Sequence, residues 1–343
     1  MRLVRFLIAC TLAAIALWPA TSLAQTPAAP LAHTKVRLAV GGQPALFYLP
    51  LNVTDRLGYF KDEGLDVAIS DLSAGGRALQ ALMGGSADVV TGSFDHTIQM
   101  QAKQQSITAV VQLGRFPGFV LGLVGPKAAA YRGPADLKGM KIGITAPGSS
   151  THFMALHIMA QAGLKPDDAS FIATGAGATA VAAARRGEID ALINVDPTIS
   201  LLENEKLIRV VADTRTEAGT RQVYGGLYPA AVLYLPPAYA QSNPKTVQSL
   251  TNAFVRGLKW MASHSAEDIA KVMPPEHALG NMELYTRAIH SSLPMYSPDG
   301  RFTAEGAETA LKVLREFDPG IASAKIDITA TYTSAFLDKV ATR

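Results

Sequence analysis

Shifted against itself by 102 residues, the chain coincides at Ala74, Gly75, Ala78, Ala81, Gly85 and Asp88, which meet Ala176, Gly177, Ala180, Ala183, Gly187 and Asp190. Each copy reads as a glycine at a helix start, a short Ala-rich helix, and a Gly-x-x-Asp turn into an apolar strand; the first is "SAGGRALQALMGGSADVV", residues 73–90. A helix–strand unit that occurs twice constrains the chain to build one α/β module in duplicate. Right-handed crossovers then lay the strands of each module into a parallel sheet.

The flanking sequence supplies the other strands. "KVRLAV" (35–40), a helix over 46–57 stopped by Gly58, "LDVAIS" (65–70), the glycine-started helix and "ADVVTGS" (87–93) read as βαβαβ. The order returns with "KIGITA" (141–146), a helix from Ser149 to Ala162 stopped by Gly163, "ASFIAT" (169–174), a helix from Thr179 to Arg186 and "IDALINV" (189–195). The fold class is α/β: two doubly wound lobes, each turning its helix starts and strand ends toward one edge, where open α/β sheets bind ligands. Two such edges face to face make a cleft.

Composition bounds the partners. With 343 residues, 48% hydrophobic and 17% charged, the chain can bury the cores of two lobes. The first 24 residues read as a leader: Arg2 and Arg5, an apolar run from Phe6 to Trp18, Pro19, then Ser22-Leu23-Ala24 with small residues for a signal peptidase. Export with Gln25 as the new terminus is expected, followed by a flexible linker over 25–34. "LIAC" at 7–10 imitates a lipoprotein box but has too short an apolar approach, so no lipid anchor is expected at Cys10. Cleavage would remove the single cysteine, and with it any disulfide, thiolate metal site or cysteine nucleophile. The formal charge of +3 falls to +1 without Arg2 and Arg5, 29 basic against 28 acidic residues, and no basic run remains. Nucleic acid and anionic membranes are therefore not expected partners, and a small molecule is.

The glycines identify where that molecule sits. Gly75 and Gly76 let a ligand approach first-turn N–H groups that lack intrahelical partners, at the positive end of a helix dipole. Ser149, Ser150 and Thr151, after Gly148, repeat the device on the second lobe with hydroxyls added. At strand ends on the same edge stand Gln43, Ser93 with Phe94 and His96, Arg115, and Asn194 with Asp196. Arg77 and Arg115 are candidate cations, His96 and His152 candidate hydrogen-bond donors, and Phe47, Tyr48 and Phe94 candidate apolar walls. The inventory points to a small organic anion, sulfonate- or carboxylate-like with an apolar body. Neither glycine loop ends in Gly-Lys-Ser/Thr or carries the third glycine of the dinucleotide fingerprint, so no nucleotide cofactor is expected. Catalysis lacks its parts as well: there is no Gly-x-Ser-x-Gly elbow, no His-Glu-x-x-His, and His152 and His157 diverge on their helix, so neither catalytic residues nor a metal site are assigned.

"GYFKDEGLDV" (58–67), "GGRALQALMGGSADVV" (75–90), "DLKGMKIGI" (136–144), "GSSTHFMALHIMAQAGLKPDD" (148–168) and "ARRGEIDALINVDP" (184–197), in this order, resemble the exported solute-binding proteins of ABC importers for nitrate, aliphatic sulfonates, taurine and thiamine precursors. The resemblance runs from about residue 35 to at least 260. It implies a type II periplasmic binding fold, a periplasmic monomer, a permease and ATPase as partners, and a trap that closes on its solute. Crossing strands are placed at Phe119–Val124 and Ala230–Leu235, giving a first lobe over 35–121 and 231–343 and a second over 122–230. A related thiamine-pyrimidine synthase is an enzyme with a Cys-rich motif that this chain lacks, and a LysR-type regulator would begin with a helix-turn-helix instead of a leader. In the last third, 243–265 and 303–317 read as amphipathic helices on the first lobe, with Trp260 inward, Thr303 as N-cap and Asp318-Pro319 as terminator.

Overall fold

The computed structural model describes residues 34–340, so the leader expected over 1–24, Cys10 and all of the linker but Thr34 lie outside the described residues. Ten strands are present there: β1 (Thr34–Val40), β2 (Leu65–Asp71), β3 (Val89–Ser93), β4 (Thr108–Gln112), β5 (Val120–Val124), β6 (Lys141–Ile144), β7 (Ser170–Ala173), β8 (Ala191–Asn194), β9 (Ile208–Asp213) and β10 (Ala231–Leu235). They form two five-stranded sheets with one plan, β2-β1-β3-β10-β4 and β7-β6-β8-β5-β9. Strands buried on both faces read as unbroken apolar runs, "VLGLV" in β5 and "AVLYL" in β10, and these sit inside their sheets. Edge strand β2 alternates instead.

The sheets are mixed, not wholly parallel. In each, one strand runs against its neighbours: β10 against β3 and β4, β5 against β8 and β9. These are the strands by which the chain enters each lobe from the other. The two runs expected to cross thus lie within the sheets, and the boundary expected after Leu121 cuts β5, all of which belongs to the second sheet. The crossings are the short segments before them, residues 113–119 and 225–230. They run side by side, with Leu113 N–H on Ala231 O at 2.7 Å and Ala230 N–H on Gly114 O at 3.1 Å.

The duplicated unit has a structural cause. Asp88 and Asp190 each accept the N–H of a residue on the neighbouring strand, Arg37 within β1 and Lys141 at the start of β6, both at 2.8 Å. Each aspartate N–H returns a bond to the same residue's carbonyl, again at 2.8 Å. The glycine three residues earlier, Gly85 or Gly187, takes a left-handed φ of 75° or 66° that other residues rarely adopt. One turn therefore sets strand entry in both lobes.

The C-terminal helices Pro244–Ala262 and Ala304–Phe317 close the structure, the first packed on the helix Leu49–Arg56 and on β4. Thr303 caps the second through Gly306 N–H, and Trp260 is half-buried. Among the described residues no helix is long and apolar enough to cross a membrane.

Candidate functional site

The helix Gly75–Met83 on the first lobe and the helix Ser150–Gln161 on the second begin facing one another. Gly76 N–H donates to Ser149 Oγ at 2.9 Å, which joins the two starts directly. Beside this contact lies a cavity of about 30 Å³. Gly41, Ala45, Phe47, Tyr48, Gly75, Ser93 and His96 line it from the first lobe, Thr145, Ser149, Ser150, Thr151, Ala176 and Val195 from the second, and Phe119 from the first crossing.

The apolar wall is a stacked pair, Phe47 and Phe119, with centroids 5.5 Å apart at 15°. Opposite it the polar groups differ in what they leave free. Ser93 Oγ is buried without a protein partner, although its residue is only 4% exposed. Burial pushes the Tyr48 phenol well above its ordinary range, so the hydroxyl keeps its proton. Ser150 and Thr151 N–H, in the first turn, meet no acceptor among the described residues. Thr151 Oγ1 is spent on Thr145, accepting its N–H at 3.0 Å and sharing a proton with its hydroxyl at 2.8 Å.

His96 is spent as well. Its Nε2 lies 3.2 Å from Gly148 O on the second lobe and its Nδ1 3.3 Å from the Tyr234 hydroxyl. A carbonyl only accepts, so Nε2 carries the hydrogen and Nδ1 takes the tyrosine proton. Burial lowers the pKa of the ring and favours this neutral form. Next to it Asp95 is fully buried, accepting the Ser150 hydroxyl at 2.7 Å and the Tyr228 hydroxyl at 3.1 Å. Burial raises the Asp95 pKa, while His96 and the two hydroxyls pull it down.

Of the residues expected at the site, Phe47, Tyr48, Gly75, Ser93, His96, Ser149, Ser150 and Thr151 are brought together around the cavity. The others are held elsewhere. Gly76 stands just behind, its N–H used on Ser149. Gln43 donates its N–H to Asp71 and its side-chain amide to Asn52. Phe94, one residue past β3 and already helical with φ −59° and ψ −38°, does not line the cavity and packs on Phe302 and Tyr332. Arg77 is exposed. Arg115 is exposed too, its guanidinium on Pro294 O at 2.6 Å and near the Phe116 ring, because its backbone is pinned to Met295 on the outer face. His152 Nδ1 accepts Gly148 N–H and its ring packs on Phe171. Asn194 bonds Gly175 O and Val195 N–H, and Asp196 accepts the N–H and hydroxyl of Ser200 with Arg215 3.7 Å away. Among the described residues no lysine or arginine lines the cavity.

Gly41, Ala45, Phe119, Thr145, Ala176 and Val195 complete the lining without having been expected there, and Asp95 supports it from behind. Gly41 was legible: it follows β1 directly, in a glycine pair at a strand end. Asp95 was not, since one carboxylate at a helix start reads as an ordinary dipole partner.

Residues 48–268 match the family described as NMT1/THI5 like. The chain belongs to the NMT1/THI5-like family. This NMT1/THI5-like protein is 23% identical to YtlA of Bacillus subtilis (strain 168) over 78% of each chain. It is 22% identical to the 4-amino-5-hydroxymethyl-2-methylpyrimidine phosphate synthase of Candida albicans (strain WO-1), over 69% of this chain and 70% of that one. A solved structure from Bordetella bronchiseptica RB50 is 47% identical and superposes with a TM-score of 0.87, over 91% of this chain and 98% of that one. The alkanesulfonate-binding protein SsuA from Xanthomonas axonopodis pv. citri, bound to MOPS, superposes at 0.66 with 19% identity, over 88% and 98%. The NMT1/THI5-like chain thus has the periplasmic binding protein fold of type II, and its structural neighbours include binding proteins of ABC importers.

Proposed function

We propose that this protein captures a small organic solute between its lobes and delivers it to an ABC permease and its ATPase from the periplasm, without altering it chemically. The observation that carries the reading is Ser93 Oγ, a buried hydroxyl without a protein partner, in a cavity where two opposed helix starts meet. In this reading Ser150 and Thr151 N–H receive an acceptor oxygen of the solute, and Phe47 and Phe119 receive its apolar body. A cavity of about 30 Å³ takes little more than two waters at roughly 10–15 Å³ each, so a larger solute enters with the lobes apart and the wall side chains yield as the lobes close on it. Turning about the paired crossing segments supplies that motion. An organic anion rests here on the two N–H groups and the helix dipole alone, Arg115 being on the outer face.

The enzymatic alternative, a pyrimidine synthase-like activity, finds little support in the cavity: His96 has both ring nitrogens engaged, and Asp95 is shielded by Ser150 and Tyr228. The test is a melting screen over sulfonates, carboxylates, nitrate, amides, amines and sugars, with mass spectrometry of the small molecules released from the purified protein. A bound solute at a hundredfold excess over its Kd raises stability by about 2.7 kcal/mol. No shift with any class and no released molecule would overturn the reading, and turnover of a bound molecule would favour the enzyme.

A further inference from the structure

We propose that Asp95 is a positioning residue that sets the hydrogen-bond polarity of the solute cavity, so that the site selects a neutral solute carrying an N–H or O–H donor. The inference rests on the binding reading above and names the chemistry that the pocket prefers. Ser150 lines the cavity, and its single hydroxyl proton is committed to Asp95 Oδ1 at 2.7 Å. Toward the cavity its oxygen has only lone pairs left. The other carboxylate oxygen is occupied by the Tyr228 hydroxyl at 3.1 Å, which holds Asp95 in place, and Asp95 is completely buried.

The polarity is made only when the lobes meet, because Asp95 belongs to the first lobe and Ser150 to the second. An acceptor brought against Ser150 Oγ would face lone pairs with a buried carboxylate behind them, and among the described residues no lysine or arginine lines the cavity to offset the repulsion. A donor there completes the chain from solute to Ser150 to Asp95. A primary amide or sulfonamide satisfies both halves of the site: its oxygen meets Ser150 and Thr151 N–H, and its N–H meets Ser150 Oγ.

Two neutral pairs of matched shape separate donor from shape: methanesulfonamide against dimethyl sulfone, and acetamide against acetone. Affinities are read by ligand-observed NMR at millimolar concentration. The donor member of each pair is expected to bind wild type about tenfold tighter. Ser150→Ala, which retains the Asp95–Tyr228 bond, is expected to bring the ratio to about one, and Ser150→Thr to restore it. Asp95→Leu is expected to lower the ratio as Ser150→Ala does, and the double variant to add nothing further. Equal binding within the pairs, absence of binding by both donors, or a tenfold ratio that survives Ser150→Ala or Asp95→Leu would overturn the proposal. Gly75→Val is a separate control: a Cβ at Gly75 stands 3.5 Å from His96 and from the Tyr48 hydroxyl, so the larger side chain fills the cavity. Probes that bind Gly75→Val as they bind wild type would show that the cavity itself is not their site.

Discussion

Asp95 on the first lobe accepts a 2.7 Å hydrogen bond from the Ser150 hydroxyl on the second. Its other oxygen accepts from Tyr228, which lies in the second crossing segment, so one buried carboxyl joins both lobes to the strip of chain about which they turn. Tyr228 is itself fixed by stacking on Tyr224, with centroids 4.2 Å apart, and Tyr224 stacks on His157 of the second lobe. Lobe contact and hinge therefore share one polar and aromatic network.

Tyr228→Phe tests the hinge end of that network. The ring stack survives and only the hydroxyl is lost, leaving one buried carboxylate oxygen without its donor. Stability is expected to fall by about 1–3 kcal/mol. Urea denaturation measures it, and a midpoint equal to wild type would mean that Asp95 does not depend on Tyr228.

Arg115→Ala is expected to leave solute binding as it is. The guanidinium is exposed and bonded to Pro294 O, and the backbone bond from Arg115 N–H to Met295 O survives the exchange. The stability change is expected within about 1 kcal/mol. Titration calorimetry with the solute found in the screen decides the matter, since a tenfold loss of affinity would return Arg115 to the cleft.

Gly41→Ala is expected to damage both fold and site. A Cβ at Gly41 would fall 2.2 Å from Gly75 N and 2.3 Å from the Ala74 carbonyl carbon, backbone atoms that yield only if the start of the Gly75–Met83 helix moves. Overpacking of this kind costs about 1–3 kcal/mol, and the displaced helix start alters one wall of the cavity. Melting with and without solute measures both effects. A variant with wild-type melting and binding would contradict the close approach.

The parts of this fold legible in the sequence were those set locally. The Gly-x-x-Asp repeat announced two equivalent strand entries because Gly85 and Gly187 need a left-handed φ and Asp88 and Asp190 make the same two bonds. The direction of β5 and β10 was not legible, since an apolar run buried on both faces reads the same parallel or antiparallel. At the cavity, chain position at a strand or helix end located Ser93, Ser149, Ser150 and Thr151, but it could not say which way a neighbour points. Ser93 turns in and Phe94 turns out for that reason. Arg115 was misplaced by the same logic: it follows a strand end, yet it belongs to a crossing segment whose outer face it covers. Asp95 needed the three-dimensional meeting of the lobes before its role could be seen.

The last expectation concerns pH. His96 sits between Asp95, the Tyr234 hydroxyl and Gly148 O, with Lys103 acting from the same helix, and burial lowers its pKa. In the unfolded chain the ring regains an ordinary value near 6.5. Between the lowered value and about 6.5, then, the unfolded state holds a proton that the native state does not, and stability rises with pH across that window. His152 and His277 are lowered too and add slopes of the same sign. Asp95, raised by burial, acts in the opposite sense above the ordinary carboxylate range. His96→Gln removes one of the three histidine contributions. Wild-type stability, measured by urea denaturation from pH 7 downward, is expected to fall more steeply than that of the variant, by up to about 1.4 kcal/mol per pH unit. Parallel curves would mean that His96 takes up its proton alike in the folded and unfolded chain, and that burial does not lower its pKa.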